Sequence, residues 1–593
     1  MKRFSLWLLV GALGCSDGDI GVTGPGGGGG GGDGRDDVTG GCTDADEDGF
    51  GVGCEQGVDC NDADPNLNAD CDFRAFGDPW SPEQADGLVI DENGALTLGE
   101  DELADDNVWT ANAEEGTVSK LDARTGRELA RYPSAIAGGN DARPWNEPCN
   151  YGSAGNCPSR TSIDFRRDCF VANRAFGNQG TLTKIANRIE DCVDRNGNGV
   201  IDTSRDANDS GTVEPGEIVG DDECVLYTVN VGGLNGMPRA LAVAPDTRFV
   251  SAGGNAWVGT NGERRGYEVN GNDGAILRTV ELPINPYGAL AGKLLGLVWF
   301  TNVGVQAAPN NPPAIVAVEF ANGTVHPRQE VQSTVGCTGT YGITIDGQGR
   351  VWTGGYPCEA IFRYEGTADA GSWLSVDLGG QGRTRGLVAS DDDRIWVAHS
   401  HLADGGTVGN LTSVDAETGA VLERHTLPTG KQAIGVDLDR QGNIWTIARE
   451  TSSAAKLDPS TGVFQEFPVG NGPYTYSDFT GHSLRLQFPQ GVYTDVAEAC
   501  GAAGAMWKTA HWEGDVPEGA VVELRARTAT TREGLADAEW YGPWTESPVD
   551  LESPPGPLPE GSFLEFELTL RSLDNATTPH LTGFVVTYAC ALQ

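Results

Sequence analysis

Short apolar runs separated by glycine-rich turns recur along most of the chain. Seven of these runs carry a large aromatic residue at a matching place: Trp109, Phe170, Trp257, Trp299, Trp352, Trp396 and Trp445. From Trp257 onward, successive anchors lie 42 to 53 residues apart, which suits one four-stranded antiparallel sheet per repeat. Because the runs are also rich in β-branched residues, the pattern predicts an all-β fold.

Most repeats carry an earlier apolar strand, as in TSIDF, RALAVAPD and YGITIDGQG. No such strand lies close before Trp109, and the matching one, PYTYSDFTG, begins only at Pro473. We therefore predict that residues 81–480 form a seven-bladed β-propeller whose first blade is completed from Pro473, leaving no open sheet edge. The pattern YGITIDGQGRVWTGG…IFRY resembles the propellers of virginiamycin B lyase and of NHL-repeat proteins, over about residues 105–480.

Residues 482–593 have a different pattern. The segments AVVELRARTA, FLEFELTLRS and HLTGFVVTYAC alternate apolar and polar positions, as half-buried strands do. They predict a C-terminal antiparallel β-sandwich.

The formal net charge of −45 narrows the range of partners. Such a surface repels nucleic acid and anionic membranes, and it attracts divalent cations. We expect a monomer that does not bind nucleic acid. The chain also contains 14 cysteines, which in an exported protein indicate disulfides rather than zinc.

The first segment, MKRFSLWLLVGALGC, combines a basic start, an apolar run and small residues before Cys15. It predicts an export signal over residues 1–15. It resembles a bacterial lipoprotein signal, which implies acylation of Cys15 and anchoring in the cell envelope, most typically in the outer membrane. An ordinary signal peptide remains an alternative. Residues 16–41 are glycine-rich and predict a flexible tether.

Residues 42–72 alternate carboxylates with glycine turns and have too few large apolar residues to form a hydrophobic core. They resemble the acidic metal-binding repeats of bacterial surface proteins and, more distantly, thrombospondin type-3 repeats, so we expect a small metal-binding module. A disordered acidic spacer is the alternative. The pairing of Cys42, Cys54, Cys60 and Cys71 stays open. The candidate metal ligands are Asp44, Asp46, Asp48, Asp59, Asp62 and Asp64.

The repeat between Phe170 and Trp257 is too long, and the surplus, residues 190–224, contains two loops with calcium-ligand spacing. The second loop has oxygen ligands at positions one, three, five, seven, nine and twelve of an EF-hand loop and Gly211 at position six. The first loop matches up to position nine, but Arg205 occupies position twelve. The predicted ligands are Asp206, Asn208, Ser210, Thr212, Glu214 and Glu217 in the second loop, and Asp194, Asn196, Asn198, Val200 and Asp202 in the first. We expect calcium to stabilise the insert rather than to switch it.

Four disulfides are predicted from the places of the cysteines in the repeats. The pair Cys192–Cys224 would bracket the insert, and Cys337–Cys358 would link strands of one blade. A short loop would be closed by Cys149–Cys157, and Cys500–Cys590 would cross the sandwich.

The propeller alignment brings equivalent positions of each blade to one opening of the central channel. The inner strands begin at Arg160, Arg239, Tyr287, Tyr341, Arg385, Gln432 and Tyr474, and the second strands end at Asn112, Asn173, Thr260, Asn302, Gly355, His399 and Ala448. The lyase resemblance implies histidine and glutamate around magnesium at this mouth, and only His399 fits that chemistry. Arginines and tyrosines instead predict a site for an anionic or sugar-like ligand.

Together these patterns predict an exported, envelope-anchored, calcium-binding propeller that acts as a ligand-binding or scaffold module. The ligand itself is not identified. A lyase-like propeller enzyme and a purely structural envelope protein are the two alternatives.

Overall fold

The computed structural model describes residues 71–74, 80–99, 106–136, 156–246, 253–293, 296–303, 311–337, 339–499, 504–553, 557–572 and 577–590. The predicted signal segment with Cys15, the tether and the acidic module up to residue 70 lie outside these ranges, as do Cys149 and Cys500. Strands account for 51% of the residues and helices for 4%. This confirms the all-β prediction.

Four short strands come first in the described part of the chain: β1 (Cys71–Arg74), β2 (Ala85–Asp86), β3 (Leu88–Ile90) and β4 (Leu96–Leu98). They pair with strands from the C-terminal region, which are β32 (Gln490–Glu498), β33 (Ala505–Asp515), β34 (Ala520–Ala529), β35 (Tyr541–Trp544), β36 (Val549–Asp550), β37 (Phe563–Ser572) and β38 (His580–Cys590). One sheet has the order β3-β4-β38-β33-β36, with β1 also on β38, and the other has the order β2-β32-β37-β34-β35.

Strands β2, β3 and β4 belong to the sheets of the C-terminal region, whereas the prediction began the propeller at residue 81. Trp80 explains the pairing, because its ring packs edge-on against Tyr493 and its Nε1 donates to the Leu581 carbonyl at 2.9 Å. Both sheets contribute to one apolar core that contains Trp80, Tyr493, Phe566 and Phe584. No spacing in the sequence links these distant segments.

Seven smaller antiparallel sheets follow one another between residues 107 and 468 of the described chain. The first three consist of β5 (Asn107–Asn112), β6 (Thr117–Asp122) and β7 (Glu128–Pro133); β8 (Pro158–Ile163), β9 (Cys169–Asn173), β10 (Gln179–Ile185) and β11 (Val225–Leu234); β12 (Pro238–Ala244), β13 (Asn255–Thr260), β14 (Arg265–Val269) and β15 (Ile276–Glu281). The next two consist of β16 (Pro286–Gly292), β17 (Leu297–Asn302), β18 (Ala314–Glu319) and β19 (Gln329–Glu330); β20 (Ile343–Ile345), β21 (Val351–Gly354), β22 (Ala360–Gly366) and β23 (Gly371–Asp377). The last two consist of β24 (Thr384–Ala389), β25 (Arg394–His401), β26 (Thr407–Asp415) and β27 (Val421–Thr426); β28 (Ala433–Leu438), β29 (Ile444–Ala448), β30 (Ser453–Asp458) and β31 (Val463–Pro468).

The first strands of successive sheets contact one another in chain order, from β5 and β8 through to β24 and β28. The predicted aromatic anchors are buried between these sheets; for example, Trp396 packs with Val436 and Ile444 of the next sheet. This arrangement of antiparallel sheets is consistent with a propeller.

The segment after Pro473 lies along the three-stranded sheet. The Tyr474 amide donates to the Ala111 carbonyl at 2.8 Å, and the Trp109 amide donates to the Phe479 carbonyl at 2.9 Å. On its other sides, the Phe479 amide donates to Asp437 in β28, and Ser477 donates to the Thr161 carbonyl in β8. The segment therefore lies beside β5 and contacts both the second and the last of the seven sheets.

A short helix follows this segment. Helix α1 (His482–Gln487) reaches the inner strands of several sheets. The Gln487 side chain donates from Nε2 to the Ile345 and Asp346 carbonyls at 3.1 Å, and His482 Nε2 bonds the Ala389 carbonyl at 2.9 Å. The remaining helices are 3-10 turns at Pro82–Gln84, Ile189–Asp191, Pro215–Glu217 and Glu533–Asp537. Among the described residues, no helix is long and apolar enough to cross a membrane.

Two buried polar clusters stabilise the inner part of the sheets. Lys184 forms ion pairs with Asp164 at 2.9 Å and with Asp168 at 3.1 Å, all three side chains being buried. Elsewhere, burial and the neighbouring Asp478 raise the pKa of Asp437 well above its usual range. Both clusters place charge where water does not reach, so their pairing matters for stability.

Two predicted disulfides are present, Cys192–Cys224 and Cys337–Cys358. Cys157 also takes part in a disulfide, and Cys149, its predicted partner, lies outside the described residues. The Cys500–Cys590 prediction cannot be placed in the same way, because Cys500 is outside them too.

Candidate functional site

A cavity of about 510 Å³ lies where the first strands of the seven sheets begin. Its lining comes from two kinds of position. The first is the start of an inner strand, which supplies Arg239 in β12, Tyr287 in β16 and Arg385 in β24. Tyr341, just before β20, and Tyr474, in the segment beside β5, line the cavity as well.

β-Bulges project two of these side chains into the cavity. The pairing between β12 and β13 skips Arg239, and the pairing between β16 and β17 skips Tyr287. A bulge inserts one residue and so re-aims its side chain. In the last sheet the skipped residue is Ile434, which packs against Tyr476. Gln432, the sequence candidate there, precedes this position and does not line the cavity.

The second kind of position is the residue directly after a second strand. Arg174 follows β9, Tyr356 lies two residues after β21, and Arg449 follows β29. Asn261 and Val303 occupy the same place after β13 and β17. The sequence alignment considered the residue before each of these. Because neighbouring side chains of a strand point to opposite sides, this offset of one residue left Arg174, Arg449 and Tyr356 out of the prediction.

His399 shows the same offset. Its ring is fully buried, with Nδ1 at 2.8 Å from the Gly382 carbonyl and Nε2 at 2.9 Å from the Thr412 hydroxyl. Burial lowers the pKa of His399 to about 4. It lies outside the cavity lining, whereas the next residue, Ser400, accepts a hydrogen bond from Arg385 Nε at 2.7 Å.

Arg160 lies beneath the cavity rather than in its lining. It is fully buried, donates from Nε to the Arg239 carbonyl at 2.7 Å and also donates to the Tyr287 carbonyl. Its guanidinium stacks on Tyr476. Burial lowers the pKa of Arg160 to about 9. Arg160 therefore supports the floor and adds positive charge to it.

Three tyrosine hydroxyls meet at the bottom of the cavity. The Tyr287 oxygen lies 3.4 Å from that of Tyr341 and 3.3 Å from that of Tyr474, and Tyr341 and Tyr474 also share a hydrogen bond. Arg239 Nη1 donates to the Tyr287 hydroxyl at 2.8 Å. These phenols are available to bond a polar ligand between the arginines.

The charge around Tyr474 favours its phenolate form. Burial raises the pKa of this phenol, but the charges of Arg385, Arg239 and Arg174 outweigh burial and lower it to about 7. Burial raises the pKa of Tyr287 and of Tyr341, which remain neutral phenols.

The cavity lining is rich in positive charge although the chain as a whole is strongly acidic. Arg174, Arg239, Arg385 and Arg449 line it, and Glu114 is the one carboxylate among the lining residues that the structure describes. Glu114 pairs with Arg449 Nη2 at 2.8 Å. Phe176, Met237 and Val303 add apolar surface. Such a cavity suits a small ligand that carries negative charge.

The insert holds the second group of sequence candidates. In its second loop, Asp206 accepts the Ser210 amide at 2.9 Å and the Gly211 amide at 2.7 Å. Glu217 Oε1 accepts the amides of Ala207 and Asn208, and its Oε2 accepts the Glu214 amide, at 2.9 to 3.2 Å. These bonds join position one of the loop to positions five and six, and position twelve to positions two, three and nine.

The first loop repeats this pattern with a residue from outside the loop. Glu223 Oε1 accepts the amides of Arg195 and Asn196, and its Oε2 accepts the Asp202 amide, at 2.8 to 3.1 Å. Those amides are at positions two, three and nine, so Glu223 takes the place that Glu217 takes in the second loop. The neighbouring disulfide, Cys192–Cys224, holds it there. Spacing along the chain places Arg205 at position twelve and therefore does not indicate Glu223.

The remaining predicted ligands of the insert lie on the same two loops. Asp194 accepts the Asn198 amide at 3.2 Å and the Gly199 amide at 2.7 Å. The side-chain Nδ2 atoms of Asn196 and Asn198 both donate to Asp202 Oδ2, at 2.8 and 2.9 Å. Within the described residues, no group of three or more His, Cys, Asp or Glu side chains is placed to hold a metal ion. The donors here include amide, hydroxyl and carbonyl oxygens as well.

Comparisons with known proteins found distant structural likenesses only. No family model and no curated protein matches the chain. Among solved structures, virginiamycin B lyase from Staphylococcus aureus is 13% identical with a TM-score of 0.37, over 53% of this chain and 84% of that one. A functionally unknown protein from Desulfotomaculum acetoxidans is 11% identical with a TM-score of 0.42, over 63% of this chain and 100% of that one. Apo AztD from Citrobacter koseri is 12% identical with a TM-score of 0.38, over 62% and 96%. At these TM-scores the likeness carries no conclusion about activity.

Proposed function

We propose that this protein is a seven-bladed propeller that binds a small anionic ligand in the cavity at one end of its channel. The observation that carries the proposal is the lining: among the residues that the structure describes, four guanidiniums and one carboxylate surround about 510 Å³. Guanidiniums bind carboxylates and phosphates through two parallel hydrogen bonds. The volume is typical of a small-molecule site. The C-terminal sheets, joined by β2 to β4, form a β-sandwich beside the propeller.

The proposal is tested by titrating the purified protein with acetate, inorganic phosphate and sulfate, and with neutral sugars and choline as controls. We expect heat of binding with anions alone. The triple variant Arg174→Gln, Arg239→Gln, Arg385→Gln should lose it, while Arg328→Gln should not, because Arg328 pairs with Glu330 on the surface. Equal binding curves for wild type and the triple variant would exclude this function.

A second function, calcium binding by the insert, is supported by Glu223. Because this carboxylate makes in the first loop the bonds that Glu217 makes in the second, each loop has an acidic group at its closing position. We propose that both loops bind calcium and that the metal stiffens the insert. Calorimetric titration should give two calcium sites, selective against magnesium, that are lost when Glu217 and Glu223 are both replaced by Gln; any site in residues 42–72 would remain. Equal calcium stoichiometry in the wild type and in this double variant would refute the proposal.

The position of the protein in the cell is proposed from the sequence. The two disulfides are compatible with an exported protein. We propose that Cys15 is acylated and that the lipid holds the chain at the cell envelope as a monomer. Metabolic labelling with an alkyne fatty acid should mark the wild type and not Cys15→Ser. Labelling of both would contradict the assignment.

A further inference from the structure

The four arginines of the cavity are divided by tyrosine rings. On one flank, the guanidinium carbons of Arg174 and Arg449 lie 4.8 and 5.6 Å from the ring centre of Tyr474. Both guanidiniums therefore lie close to the same tyrosine ring.

The opposite flank repeats the arrangement with two rings. The Arg239 guanidinium lies 4.8 Å from the Tyr287 ring centre, and the Arg385 guanidinium lies 4.8 Å from that of Tyr341. The two ring centres are 5.0 Å apart. A pair of tyrosines therefore separates Arg239 from Arg385.

The arginines also associate across the flanks. Arg174 and Arg239 contact the same Phe176 ring, at 5.0 and 5.3 Å from its centre. Arg449 is already paired with Glu114, its Nη2 lying 2.8 Å from the carboxylate. Arg385 lies 4.2 Å from the Tyr356 ring centre and donates from Nε to the Ser400 hydroxyl at 2.7 Å. The described lining therefore has two positive sides: Arg174 with Arg239 at the Phe176 ring, and Arg385 beyond the rings of Tyr287 and Tyr341.

Positive charge is crowded on the first of these sides. Burial, and after it the charge of Arg239, lowers the pKa of Arg174 to about 10. Arg160 adds a further buried guanidinium below. A single acidic group could neutralise one side at a time, whereas a ligand with two acidic groups reaches both.

We propose that the ligand is a small dianion with an acidic group at each end. One group is bound by Arg174 and Arg239, and the other by Arg385. The phenols of Tyr287 and Tyr341 contact the part of the ligand between the two groups. The inference depends on the proposed anion-binding function and narrows it to one chemical class.

The test compares dicarboxylates with matched monocarboxylates by calorimetry on the whole protein. Succinate, glutarate and adipate are set against butyrate, valerate and hexanoate. We expect at least one dicarboxylate to bind ten times more tightly than its partner or better. In Arg239→Gln and in Arg385→Gln this preference should fall to about threefold or less, and in Arg328→Gln it should remain.

The outcomes distinguish failure of the dianion inference from failure of the proposed anion-binding function. If monocarboxylates and dicarboxylates bind equally well, the cavity binds anions and the dianion inference is wrong. If none binds at 10 mM or below, on the order of the weakest measurable affinity, the proposed function fails as well. Circular dichroism checks that each variant is folded. Where Gln unfolds the protein, Arg→Lys at the same position keeps the charge, loses the paired hydrogen bonds and should reduce the preference.

Discussion

Tyr474 gives the sharpest prediction about the cavity, because its charge changes near neutral pH. Burial raises the pKa of Tyr474, and the charges of Arg385, Arg239 and Arg174 then bring it down to about 7. Above this pH the phenolate is itself an anion among the arginines. We expect it to compete with an anionic ligand, so binding should weaken as the pH rises.

The size of the fall in affinity follows from the shift in the pKa of Tyr474. A pKa moved from 10 to about 7 means roughly 4 kcal/mol of preference for the phenolate, at about 1.4 kcal/mol per unit. A bound anion that cancels the arginine charges removes most of this preference, so one proton is taken up on binding. Above pH 7 the affinity should then fall by up to about tenfold per pH unit, or up to about 100-fold between pH 7 and 9.

The assay is calorimetric titration with glutarate at pH 6, 7, 8 and 9, in two buffers of different ionisation enthalpy. Wild type should show proton uptake and a falling affinity, and Tyr474→Phe should show neither. Absorbance near 295 nm should report one tyrosinate appearing near pH 7 in the wild type. Arg174 and Arg385 keep their charge through most of this range, and the raised pKa values of Tyr287 and Tyr341 keep these phenols neutral. Arg160, with a pKa of about 9, is present in both proteins, so its titration does not distinguish them. Identical pH profiles for wild type and variant would refute the reasoning.

Three further predictions concern the scaffold. Lys184→Met should cost about 3–5 kcal/mol in urea unfolding, because two buried carboxylates lose their partner. Glu223→Gln should weaken calcium at one insert site in a titration, whereas Glu190→Gln, at an exposed position of the insert, should not. The pKa of Asp437 is raised in the folded protein, so as the pH rises this carboxyl loses its proton first in the unfolded chain. The contribution of Asp437 to the free energy of unfolding therefore falls above about pH 4. Asp437→Asn should reduce this pH dependence in unfolding measured from pH 4 to 8.

The repeats could be found in the sequence because each one repeats the same burial pattern. Trp257, Trp352 and Trp396 are fully buried at equivalent places in their sheets, and a period of this length is visible without any structure. The segment beside β5 could be found as well, since a motif that the first repeat lacks begins at Pro473; it lies along β5 through hydrogen bonds of Tyr474 and Phe479 without forming a regular strand. Gly435 lies beside it, where a side chain would collide with the backbone of Thr475.

Arg239 and Tyr287 enter the cavity from β-bulges, which cannot be predicted from the spacing of residues along the chain. A shift of one residue moves a side chain to the other face of a strand. The prediction named Arg239 and Arg385 at the starts of inner strands, but after the second strands it named Asn173 and Ala448 instead of the next residues, Arg174 and Arg449. Glu223 was missed for another reason: it reaches the first loop through the fold of the insert and the disulfide, not through spacing along the chain.

Anomalous diffraction from crystals soaked in selenate tests the anion-binding cavity most directly. Selenate is a dianion that scatters strongly, so its position is read without assumption about the ligand. We expect a peak in the cavity within hydrogen-bonding distance of at least two of its four arginine side chains. Selenate peaks on the outer surface with none in the cavity would contradict the claim that this channel mouth binds anions.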